Sequence, residues 1–131
     1  SFFQLLTQII GLTIYNLPNN NFKKLNISIH QVRLLSYPHL NIHSDNSPEG
    51  IHRDGADYIV SALVLNKYNI TDGISSIYDS NKNLIYKTEI QQGEFIFQED
   101  KNLWHDISKI KSKENFIGYR DILGFDIKII E

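Results

Sequence analysis

From residue 27 onward the chain is a series of short runs rich in β-branched and aromatic residues, interrupted at close intervals by clusters of Asn, Asp, Ser and Gly. Such spacing leaves no room for long helices between strands. A parallel α/β sheet is therefore excluded, and a mostly-β sandwich, barrel or jelly roll is predicted. Strands are expected at Ile27 to Ser36, Asp57 to Leu65, Ile74 to Asp79, Leu84 to Ile90, Glu94 to Gln98, Leu103 to Ile107 and Ile122 to Ile130. Ser80-Asn81-Lys82-Asn83 reads as a hairpin loop, while Thr71-Asp72-Gly73 and Gln92-Gly93 supply residues that tolerate positive φ. Ahead of the strands, Phe2 to Ile10 places apolar side chains three and four apart, which predicts a helix packed on one sheet. Leu17-Pro18-Asn19-Asn20-Asn21 is expected to end it. With 131 residues, no internal repeat and no linker, one domain is expected.

Charge and composition narrow the partners. Thirteen basic against fifteen acidic side chains leave a net charge of −2, with no basic run beyond pairs such as Lys23-Lys24, so nucleic acid is not an expected partner. The N-terminal apolar stretch is too short for a bilayer and lacks the basic flank of a signal peptide, so no membrane association is expected. No cysteine is present, so any metal must be held by His, Asp or Glu. Cytoplasm is the default expectation for such a chain. No methionine is present either, so the chain is expected to be a processed product or the remainder of a longer one.

Of the five histidines, one sits in a motif that points to chemistry. Glu49-Gly50-Ile51-His52-Arg53-Asp54-Gly55 leads directly into the apolar run Tyr58 to Leu65. In extended backbone, residues two apart project to one side, so His52 and Asp54 converge while Arg53 points away. A second imidazole would complete the 2-His-1-carboxylate set that holds Fe(II) by one face and leaves the other open for cosubstrate and O2. His105, in Leu103-Trp104-His105-Asp106-Ile107, is the natural third ligand, because strands distant in sequence lie side by side in a jelly roll. Trp104 then points to the opposite face. Arg120 opens an otherwise apolar strand, where a guanidinium needs an anion to offset its desolvation, and a dicarboxylate would supply one.

This ordered set, with the Gly93-Glu94 turn and Arg120-Asp121 at a strand start, resembles the Fe(II)- and 2-oxoglutarate-dependent dioxygenases, and within them the isoleucine-dioxygenase-like group of free amino-acid hydroxylases. The resemblance spans roughly Gln31 to Ile129 and implies a double-stranded β-helix. It implies Fe(II), 2-oxoglutarate and O2 as cofactor and cosubstrates, with His52, Asp54 and His105 as iron ligands. Arg120 matches the residue that pairs with the distal carboxylate of 2-oxoglutarate. The implied substrate is a small molecule, a free L-amino acid with an aliphatic side chain, with Glu49 as a candidate for its ammonium and Arg33 for its carboxylate. The chain departs from the group at Thr71 to Ser76, where paired glycines are common and Asp72 stands instead. It is also short for the group, so N-terminal elements that carry part of the substrate pocket are expected to lie outside it.

Plainer readings stand beside these. His105 as a core histidine, Arg120 in an ion pair with Asp121 or Asp126, Glu49 as a turn cap and Arg33 as a strand residue facing solvent or a carboxylate all fit the pattern. His39 and His43 read as loop histidines, with His43 and Asp45 as a competing site lacking strand context. At the level of function the alternatives are a cupin-like metalloenzyme that does not use 2-oxoglutarate and a non-catalytic β-sandwich binding module.

Overall fold

The computed structural model describes residues 1–17 and 24–130. Helix α1, Phe2–Tyr15, begins with a capping box: the Ser1 hydroxyl accepts the Gln4 N–H, and the Gln4 side chain accepts from the Ser1 amino group at 2.9 Å. Ile9 and Thr13 are buried on its inner face, which is the amphipathic packing that the spacing predicts. Asn16 caps its C-terminus, and the expected stop at Pro18 to Asn21 lies outside the described residues.

Among the described residues ten strands follow: β1 (Lys24–Tyr37), β2 (Ile42–His43), β3 (Tyr58–Tyr68), β4 (Ile70–Asp72), β5 (Ile74–Tyr78), β6 (Leu84–Glu89), β7 (Phe97–Glu99), β8 (Trp104–Ile107), β9 (Ile110–Ser112) and β10 (Gly118–Ile130). They form a large antiparallel sheet in the order β2-β1-β10-β3-β7, a smaller one in the order β6-β5-β8, and the pair β4-β9. Apart from the consecutive pairs β1–β2 and β5–β6, the paired strands are distant in the chain, as in the pairing of β1 with β10 from Lys24–Ile130 to Ser36–Gly118. This is a jelly roll, one of the architectures that the strand pattern allows and the one that the family resemblance implies. Its interior is filled by Leu34, Ala62, Val64, Ile107, Ile110 and Ile122, drawn from the two larger sheets and the β4-β9 pair. A second apolar cluster packs Ile9 of α1 against Tyr58, Val60, Leu63, Leu123, Phe125 and Ile127 on the large sheet.

All seven expected strands are present, and the differences lie at their ends and in the shortest pieces. β10 begins at Gly118 rather than Ile122, and β7 is Phe97–Glu99 rather than Glu94 to Gln98. Glu94 instead closes a turn, with its backbone and its carboxylate both bonded to Gln91. β2, β4 and β9 are two or three residues long, too short to show alternation in sequence. The turn expected at Thr71-Asp72-Gly73 retains its backbone signature, with φ of 64° at Asp72 and 62° at Gly73, although Thr71 and Asp72 also pair with β9. Among the described residues no helix is long and apolar enough to cross a membrane.

Candidate metal centre

The centre is built on backbone. His52, in the extended segment before β3, makes a two-way antiparallel bridge with His105 of β8: each N–H donates to the other's carbonyl, at 2.9 and 3.0 Å. Directly opposed residues of such a pair project to the same side. The two imidazoles accordingly lie with centroids 4.3 Å apart. Asp54, two residues on, reaches both, with Oδ1 3.3 Å from His52 Nε2 and Oδ2 3.5 Å from His105 Nε2. One ligand atom from each of the three residues falls within 4.8 Å of the others. The alternation inferred from His52-x-Asp54 and the long-range partner His105 thus meet at one point.

The donor chemistry fits a cation. His52 Nδ1 lies 2.7 Å from the Gly50 carbonyl, which can only accept, so Nδ1 carries the proton. Nε2 is then a lone pair, yet it faces Asp54 Oδ1 and Glu49 Oε1, each at 3.3 Å. Three acceptors around one point repel unless a cation or a further proton lies among them. Burial lowers the His105 pKa despite the opposing pull of Asp54, which keeps the imidazole neutral as a ligand must be. Burial also raises the Asp54 pKa, reinforced by Asp126 and Asp100 and opposed by the two histidines. The Asp54 side chain keeps 31% exposure, so the centre opens to solvent on that side.

Arg120 is 2% exposed in β10. Its Nη1 donates to the Gly73 carbonyl at 2.9 Å, while Nε and Nη2 are buried with no hydrogen-bond partner among the described residues. Burial lowers its pKa, and Glu89 works in the opposite direction. The ion pairs considered from sequence do not form: Asp121 is held by Arg33 and Asp126 by His30 at 2.8 Å. A buried guanidinium with free donors suits a carboxylate. Gly73 makes room for it, since a Cβ there would stand 2.4 Å from Arg120 Nη1.

A cleft of about 230 Å³ opens beside the triad, lined by Glu49, His52, Asp54, His105, His30 and Asp126 together with the apolar Val32, Val60, Ile107 and Ile122. Arg33 lies outside it, bidentate on Asp121 at 2.7 and 2.9 Å and stacked over Tyr119. His43 is bonded to Ser36 and Asp45 caps the Ser47 N–H, so these two side chains are engaged locally.

Two supports escaped sequence reasoning. Asp100 is 1% exposed and accepts the backbone N–H groups of Asp54, Gly55 and Ala56. It sits in the polar run Gln98 to Asn102, which reads as a solvated turn, and no spacing signals its burial. On the back of the centre, the Arg53 guanidinium stacks 4.0 Å from the Trp104 ring centroid, and Lys82 covers the ring at 4.3 Å. The alternation that turns Arg53 and Trp104 away from the ligands hints at this contact.

Residues 2–126 match the family model for 2OG-Fe dioxygenase. No curated protein matches the chain. Among solved structures it is similar to IDO from Bacillus thuringiensis, with a TM-score of 0.77 and 18% identity over 97% of this chain and 57% of that one. It is also similar to the Fe(II)/α-ketoglutarate-dependent dioxygenase TqaL, with a TM-score of 0.72 and 15% identity over 93% of this chain and 51% of the other. A bsmA homolog from Methylobium petroleophilum gives a TM-score of 0.66 and 17% identity over 79% and 41% of the two chains. Identities this low show a shared fold. The chain spans about half the length of these structures.

Proposed function

Because this chain belongs to the 2OG-Fe dioxygenase family, we propose that it holds Fe(II) on His52, Asp54 and His105, binds 2-oxoglutarate with its distal carboxylate at Arg120, and hydroxylates a small molecule. The observation that carries this reading is the convergence of two imidazoles and one carboxylate, with the His52 tautomer already set for ligation. Iron held there would activate O2, the oxidant, with 2-oxoglutarate supplying two electrons and the substrate C–H bond the other two, so that one oxygen atom would end in succinate, with CO2 released, and the other in the substrate hydroxyl.

The protein's own part is binding, orientation and exclusion of water. His52 keeps its Nε2 lone pair aimed at the centre because Gly50 takes the Nδ1 proton. Arg120 offers two unused buried N–H donors, which favour a charge-assisted bond to a carboxylate over hydration. Val32, Val60, Ile107 and Ile122 give the cleft an apolar wall, which suits an aliphatic side chain. Glu49, on the cleft rim, would take a substrate ammonium. These features support a free aliphatic L-amino acid as substrate. Arg33 is not assigned the substrate carboxylate, because its guanidinium is committed to Asp121 outside the cleft. The test is succinate formation from 2-oxoglutarate, with iron and ascorbate, across the proteinogenic amino acids. A signal that depends on one or a few aliphatic amino acids is expected; turnover with none of them contradicts the substrate class, and unchanged turnover in Arg120→Ala contradicts the cosubstrate site.

A further inference from the structure

Asp100 stands behind the metal centre, in the connection between β7 and β8, and its two oxygens are used unequally. Oδ2 accepts from the N–H groups of Asp54, Gly55 and Ala56 at 3.0, 2.7 and 3.0 Å. Oδ1 takes only the longer bond from Asp54 N–H at 3.2 Å, so it keeps unused acceptor capacity. The group facing that oxygen is His105 Nδ1, 3.9 Å away and just beyond hydrogen-bond reach. His105 Nδ1 is itself buried without a hydrogen-bond partner among the described residues. A buried ring nitrogen left unsatisfied beside an underused carboxylate oxygen calls for a reason.

The choice of tautomer supplies one. Were Nδ1 the lone-pair nitrogen, it would face a carboxylate oxygen and the two would repel. With the proton on Nδ1, attraction replaces repulsion, and the Nε2 lone pair is directed at Asp54 and the cleft. We propose that Asp100 is the positioning residue shared by both arms of the metal centre: it clasps the Asp54 loop by three backbone N–H groups and sets His105 as the Nδ1–H tautomer. The inference rests on the metal reading above. It makes the two histidines alike in design, since Gly50 sets the tautomer of His52 and Asp100 that of His105.

Asp100→Asn is the informative variant. Its amide oxygen can still accept from the loop, but its NH2 then faces His105 and favours the tautomer that blocks Nε2. Mn(II) affinity, measured by calorimetry on the folded variant, is expected to fall ten-fold or more. In the 15N-labelled metal-free protein, where no metal fixes the tautomer, NMR is expected to show His105 protonated at Nδ1 in the parent, with a proton that exchanges slowly, and at Nε2 in the variant. A purely structural Asp100 would lower thermal stability and leave both readouts unmoved. The proposal is overturned by a folded variant whose Mn(II) affinity equals the parent's, or by a parent whose His105 carries its proton on Nε2. If the variant does not fold, the parent NMR decides alone. A parent that does not bind Mn(II) overturns the metal reading and this inference together, whereas a parent that binds it and a variant that binds equally overturns only the inference.

Discussion

The Gly73 carbonyl accepts the Nη1 hydrogen of Arg120 at 2.9 Å, and the glycine's missing side chain leaves the space in which that guanidinium lies. Backbone φ at Gly73 is 62°, in the left-handed region that disfavours a side chain. Gly73→Ala combines backbone strain with a clash on a buried charged group. The expected outcome is a 2-oxoglutarate affinity reduced by about ten-fold or more, the order of one charge-assisted hydrogen bond. Calorimetry checks it on Mn(II)-loaded protein, with Mn(II) affinity itself unchanged and oxalate, which lacks a distal carboxylate, binding as before.

Arg53 on Trp104 is a clasp between the segment that carries two candidate ligands and the strand that carries the third. Removing it with Arg53→Ala is expected to cost about 1 kcal/mol, and Arg53→Lys to recover part of that. Urea denaturation of the two variants measures the difference.

Much of this site was legible in the sequence, and the reasons are local. His52 and Asp54 share a face by strand alternation alone, and a single Arg opening an apolar strand marks a buried charge whatever the exact topology. Asp100 was not legible, because its burial depends on how the β7–β8 connection folds back onto residues 54–56, a contact between positions 44 to 46 residues apart. β4 and β9 were missed for a related reason: three-residue strands exist only through their pairing with each other. Arg33 shows the opposite limit, since sequence admitted either a substrate carboxylate or a protein one, and only the register reveals that it lies opposite Asp121 and bonds that carboxylate.

Ile9 is fully buried between α1 and the large sheet, in a cluster with Val60, Phe125 and Ile127. Ile9→Ala is expected to destabilise the fold by about 2–4 kcal/mol through lost burial and the cavity left behind. Chemical denaturation reads this directly, and Mn(II) affinity of the folded fraction is expected to stay at the parent's value.

Asp57 ties β10 to the segment before β3. Burial alone would raise its pKa, but the Ile129 N–H at 2.7 Å and the Lys101 ammonium at 2.8 Å outweigh that and hold it below the ordinary range. A lowered folded-state pKa contributes stability above the unfolded-state value, and that stability is lost as pH falls through the folded-state value. Asp57→Asn is therefore expected to cost about 1–2 kcal/mol at neutral pH. The gap between variant and parent is expected to narrow below about pH 4, where the unfolded carboxyl takes up its proton. Denaturation midpoints across an acid series follow it.

Whether His52, Asp54 and His105 hold one metal ion is decided by calorimetric titration of the parent and of Asp54→Ala with Mn(II) under anaerobic conditions. One ion bound per parent chain is expected, with at least a hundred-fold weaker binding in the folded variant, the order of losing a charged ligand. Equal binding by the two, or none by the parent, would contradict it.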